Sequence, residues 1–293
     1  MFRPLSEVLS RWAADGIGTA AFHAGVEIAR RRYAGYGLAA MLPLDRVLVG
    51  CKFSRAGAFG GFHHPDQGYR HLQIMAVITM FGPMKRRNPE CPELALLDLL
   101  RAHAHDCLHH GSRRRYAEVA GAPVRTQYGI NYRRTKGQCY SAADKRGSRH
   151  TRNLGVVMEG ACDREARVLT RQTAERFGVT EPSDVLGALA FRDMTGTLTE
   201  EDTGHVVDLL ESTEQTRYAA AINGYETGVN FRYTVFLEEY APGEEDDFHA
   251  ILLTAIISGD VGALGAWVDD RHGPGTFMGL LRSPGYFEPI LTA

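Results

Sequence analysis

The sequence predicts a mainly α protein with a minor β element, an α+β chain in two parts. Three observations carry this. Apolar residues recur at spacings of three and four through most of the chain, the period of an amphipathic helix. Only 46–53, 124–132 and 230–238 group apolar, β-branched and aromatic residues in short strand-like runs. Charge then changes sign along the chain: residues 101–176 hold 16 Lys and Arg against 7 Asp and Glu, whereas 177–293 hold 5 against 20. That change places a domain boundary at 178–184, giving an expected α+β domain over 1–178 and an acidic, mainly helical region over 179–293.

The elements follow in order. Residues 4–14 and 19–33 have helical spacing, and RVLVGCKF (46–53) predicts a short strand. The glycines and Pro65 of SRAGAFGGFHHPDQG predict a loop. Helices are expected over 69–81 and 92–110. The second begins with Pro92 at a natural first-turn position and Glu93 beside it, and ends at Gly111. Residues 124–132 predict a strand that dissolves into a basic, glycine-punctuated loop. Residues 154–177 predict a long helix closed by Gly178. Beyond lie expected helices near 184–191 and 199–221, a strand at 230–238, an acidic loop APGEEDD, and a final helical pair around HAILLTAIISGD and VGALGAWVDD.

Composition narrows the function classes. No run approaches the roughly 20 apolar residues that span a bilayer, and the first residues, MFRPLSEVLSRWAADG, lack the apolar stretch of a secretory signal. Five widely spaced cysteines are an odd number without a CxxC pair, which predicts reduced thiols in a cytoplasmic protein rather than disulfides or a zinc ribbon. No glycine-rich nucleotide loop and no Gly-x-Ser-x-Gly elbow occurs, which disfavours nucleotide-cofactor enzymes and serine hydrolases.

The densest chemistry is HAHDCLHH, residues 103–110. On a helix, His105 and His109 lie four apart on one face and can chelate a single ion. Asp106 follows the first histidine, about 100° round the helix, where a carboxylate can take a proton from a metal-bound water. A zinc site needs a third protein ligand. The 154–177 helix offers Glu159, with Asp163 one turn later on the same face. A polar helix end whose histidines complement the helix dipole explains the same residues without a metal.

These positions resemble the gluzincin type of zincin metallopeptidase. That family has His-Glu-x-x-His on one helix, and its third ligand is the Glu of a Glu-x-x-x-Asp pattern on a later helix. The resemblance covers two helices. It implies zinc held by His105, His109 and Glu159, with Asp163 behind a histidine ligand, and Asp106 as the general base. It departs where Asp106 replaces the glutamate, one methylene shorter. His110 is a further outer candidate and Tyr132 a second candidate catalytic group. Arg125, Arg133 and Arg134 are candidates to hold a small-molecule or peptide substrate bearing a negative charge. The expected activity is a metal-dependent hydrolase acting on a peptide or amide-like bond. The same two imidazoles and carboxylate suit iron, so a non-haem iron tailoring oxygenase, or a metal-free enzyme that kept the pocket, is the alternative.

Two other segments carry recognisable chemistry. FRDMTGTLT (191–199) is similar to the phosphorylation motif of P-type ATPases, which implies Asp193 as a nucleophile at a strand end, with Met194 where that family has lysine. The segment equally fits a turn before a helix N-cap at Thr199. Residues 113–152 mix arginine and lysine with Tyr116, Tyr128, Tyr132 and Tyr140. This pattern suits nucleic acid in a non-catalytic binding protein, or a solvated face opposite the acidic third of the same chain.

Overall fold

The structure is a computed structural model describing residues 3–49, 62–64, 69–72, 88–132, 141, 144–205 and 213–281. It is mainly helical, with two small sheets. The chain divides into two compact units interleaved along the sequence. The first comprises Met1–Arg32, Ala40–His110 and Arg164–Tyr225; the second comprises Tyr33–Ala39, Gly111–Asp163 and Glu226–Ala293.

In the first unit, β1 (Arg3–Pro4) leads into α1 (Leu5–Ala14), whose Leu5, Val8, Leu9 and Trp12 form a buried stripe at helical spacing. β1 pairs antiparallel with β2 (Val47–Val49). β2 runs parallel to β4 (Tyr69–Leu72), which pairs antiparallel with β3 (Phe62–His64). The strand predicted over 46–53 is therefore present at Val47–Val49, and its remainder lies outside the described residues. Two expectations are corrected. Residues 69–72 form a strand, not the start of a helix, because β2 and β3 supply ladder partners on both sides; residues 73–81 lie outside the described set. Phe62–His64 joins the sheet edge instead of a loop.

α2 (Ala20–Gly35) is joined to α3 (Pro92–Gly111) through Gly25, where a Cβ would collide with Leu100. α3 is buried over most of its surface, with Leu94–Leu97, Leu99, Leu100, Ala104, Cys107 and Leu108 in the core and the polar Asp98, His103, Asp106 and His109 buried beside them. Buried His103 brings its Nε2 within 2.9 Å of the Leu42 carbonyl, and the Leu42 N–H donates to Cys107 Sγ at 3.3 Å. Burial pushes the His103 pKa down, so the neutral ring donates from Nε2.

α4 (Leu154–Phe177) matches its predicted span and passes from the second unit into the first. α5 (Val185–Thr195) is capped by Asp184, which accepts from the Gly187 N–H at 2.7 Å, and ends at Gly196 in the left-handed region. Thr199 and Asp202 form a reciprocal capping box that opens α6 (Glu200–His205): the Thr199 N–H donates to Asp202 Oδ2 at 2.8 Å and the Asp202 N–H to Thr199 Oγ1 at 3.2 Å. α7 (Thr213–Tyr225) completes this unit.

The second unit holds the other sheet. β5 (Arg114–Val119) and β6 (Ala122–Tyr128) form a hairpin, with β7 (Asn131–Tyr132) beside β6. Ala120 and Gly121, both at positive φ, make the two-residue turn whose twist suits a hairpin. A π-helical turn, Glu226–Asn230, leads into α8 (Phe231–Tyr240), followed by α9 (Glu245–Ser258), α10 (Gly262–His272) and α11 (Thr276–Leu281). The strand predicted at 230–238 is thus a helix. Its aromatic and β-branched residues mask a stripe of Tyr233, Phe236, Leu237 and Tyr240 at helical spacing, all buried. The acidic segment read as a loop instead supplies Glu245, Asp246 and Asp247 to the first turn of α9, where they complement the dipole. Phe248 stacks between Phe236 and Trp267 at the centre of this unit. No helix among the described residues is long and apolar enough to cross a membrane.

Candidate metal centre

His105 and His109 are positioned by helix geometry alone. One turn apart on α3, their rings lie 4.6 Å centre to centre at 53°. Glu159 comes from the second turn of α4. One ligand atom from each of the three residues lies within 4.8 Å of the others, and this is the group of histidine, cysteine and acidic side chains among the described residues that could hold a metal ion. In a tetrahedral site with metal–ligand bonds near 2.1 Å, donor atoms stand about 3.4 Å apart, inside the 4.8 Å within which these three lie. His109 is buried, while His105 and Glu159 are partly exposed.

The remaining predicted residues fall into distinct surroundings. Asp106 is buried on α3, 1% exposed, immediately after the first histidine. His110 occupies the last turn of α3, partly exposed. Asp163, 1% exposed, accepts a hydrogen bond from Asn230 Nδ2 at 3.0 Å, and the same amide donates to Glu226 Oε1 at 2.8 Å. The π-helical turn, a feature frequent at functional sites, thereby ties Asp163 to a second buried carboxylate. The sequence does not single out Glu226 or Asn230, because 230–238 predicts a strand and no element is expected over 222–229. The 233/236/237/240 stripe that follows was the available sign of a helix.

Tyr132, on β7, lines a cavity with Arg113 and Arg115. The guanidinium of Arg125 sits 4.6 Å above the Tyr128 ring, which Arg114 also approaches at 5.2 Å. Arg133 and Arg134 lie outside the described residues. Asp193 is in the last turn of α5, not at a strand end, and pairs with Arg167 at 2.6 Å with both side chains largely buried. That placement removes the nucleophile role implied by the likeness of FRDMTGTLT to a phosphorylation motif, and the capping box at Thr199 accounts for the rest of the segment.

One further acid on α3 stands apart chemically. Asp98 is buried, and its Oδ2 has no hydrogen-bond partner among the described residues. Burial, reinforced by the charge of Asp193 and only partly offset by Arg101, pushes its pKa up to about 7. Comparison with family models, with curated proteins and with solved structures finds no match for this chain.

Proposed function

We propose that this chain is a metal-dependent hydrolase of zincin-like type, acting on a peptide or amide-like bond, with zinc held by His105, His109 and Glu159. The observation that supports this reading is the meeting of two imidazoles and one carboxylate, from two helices far apart in sequence, within 4.8 Å. Zinc held there would supply Lewis-acid chemistry, making a bound water more acidic and polarising a carbonyl. Asp106, next to the first ligand, would be the residue to accept a proton from that water and give it to the leaving amine. Its short side chain makes this transfer more dependent on geometry than a glutamate would. Asp163, held by Asn230, stands one turn from Glu159, the position that the zincin resemblance puts behind a histidine ligand.

The donor set itself favours one second reading. Two histidines and one carboxylate are also the ligands of non-haem iron oxygenases. Metal content, measured by mass spectrometry on protein purified without chelator or affinity histidines, separates the two. We expect close to one zinc per chain in the wild type, and loss of most of it in His105→Ala and in Glu159→Gln. Iron in its place points to the oxygenase. A folded wild type without metal overturns both readings. For the hydrolase, Asp106→Asn retains the metal and lowers turnover of a peptide library about 10²–10⁴-fold, the range for removing a general base.

A further inference from the structure

We infer that the cavity lined by Arg113, Arg115 and Tyr132 is a binding site for a small molecule bearing a phosphate or carboxylate group. This site is additional to the proposed metal centre. The cavity is an open cleft of about 340 Å³, and Ser258, Gly259, Asp260 and Val261 complete its wall. That volume is at the lower end of the roughly 300–1,000 Å³ of small-molecule pockets, which suits one head group and a short body.

Charge and pairing favour an anion. Arg113 and Arg115 form no ion pair among the described residues, unlike Arg152, which pairs with Glu239, or Arg192, which pairs with Glu181 and Asp202. Strand alternation separates the three consecutive arginines. Arg114 goes to the Tyr128 ring, and its two neighbours line the cavity. Asp260 is the one acid in the wall, and its Oδ1 accepts from the Gly262 N–H at 2.8 Å, at the start of α10. Two arginines and a tyrosine thus line the cavity with a single acid, whose carboxylate is already engaged by a backbone donor.

The wall is also fixed in place. The Arg113 N–H donates to the Ile256 carbonyl at 3.0 Å, and the Arg113 carbonyl accepts from the Gly129 N–H at 2.8 Å. Buried Gln127 donates to the carbonyls of Gly129 and Gly259, at 3.0 and 2.9 Å. Gly259 adopts φ 73°, and a Cβ there would collide with Arg113 Cγ, so the stem of Arg113 lies directly on a glycine that must remain one. These bonds occupy the Ile256 and Gly259 carbonyls at the end of α9, and the two exposed arginines supply the positive charge that outweighs the negative end of the helix.

Isothermal titration with inorganic phosphate and, separately, with acetate at constant ionic strength tests the site. We expect saturable binding of at least one anion by the wild type, weakened about tenfold to a hundredfold in the Arg113→Ala/Arg115→Ala double variant. The exposed Arg46→Ala variant should bind like the wild type. The anion held more tightly names the head group. His105→Ala should bind as well as the wild type, since the site does not depend on the metal centre proposed above. Absence of saturable binding of either anion, equal binding by the double variant, or equal weakening by Arg46→Ala overturns the proposal. Binding lost in His105→Ala but kept in the double variant assigns the anion to the metal and also overturns it.

Discussion

Asp98→Asn should remove a pH dependence from the stability of this protein. In the folded chain Asp98 is buried on α3 with a pKa of about 7, against an ordinary value of 3.8. Arg101 and Asp193 are the charged groups acting on it, and Asp193 is itself held by Arg167. Because the folded state holds the proton more tightly than the unfolded state, the stabilising contribution is complete below about pH 4. It is lost progressively as pH rises to about 7 and is level beyond. The distance from 3.8 to about 7, at about 1.4 kcal/mol per pH decade, amounts to roughly 4 kcal/mol, of which about 2–3 kcal/mol falls between pH 5 and pH 8. Asparagine imitates the neutral acid in size and cannot ionise. Urea unfolding of wild type and variant at pH 5 and pH 8, with m unchanged, should show the variant gaining on the wild type by about 2–3 kcal/mol as pH rises. A difference between the two proteins that stays constant across this range would refute the account of Asp98 as a buried, protonated acid.

Two further outcomes follow from the same kind of reasoning. Asn230→Leu removes both hydrogen bonds that tie Asp163 to Glu226; at about 0.5–1.5 kcal/mol per bond, with two buried carboxyls losing their donor, urea unfolding should show a loss of about 1–3 kcal/mol. Asp193→Asn leaves the buried Arg167 guanidinium facing an amide, which should destabilise by about 3–5 kcal/mol. It should also move the Asp98 transition to lower pH, because one of the charges raising that pKa is gone; titration of the Asp98 carboxyl by NMR reads the shift.

Local chemistry was legible wherever the governing interaction was itself local. The helix over 154–177 and the start of α3 at Pro92 were readable to the residue, because helical hydrogen bonds close within four positions and their apolar period is written along the chain. The same holds for the His105/His109 pair, whose approach requires nothing beyond one turn of helix, and for the Thr199 cap, which closes over three residues. Strands were harder. Residues 69–72 became a strand because β2 and β3 lie on either side of them, which their own sequence does not state. Residues 231–240 became a helix because burial selected the four-residue stripe over the β preference of single side chains.

The sequence by itself thus determined the mainly helical class, the paired histidines and the basic stretch that follows them. Tertiary structure decided which side chains meet. It gave Asp163 the amide of Asn230 and set Arg113, Arg115 and Tyr132 around one cavity, while Arg125 went to an aromatic ring. The reason is physical. Spacing along one helix or strand fixes which residues share a face, but a ligand set needs atoms from separate elements within a few ångströms. That distance is set by packing between residues remote in the chain, such as Gly25 against Leu100 and Gly160 against Tyr233, where the missing side chain of a glycine fixes how closely two elements approach.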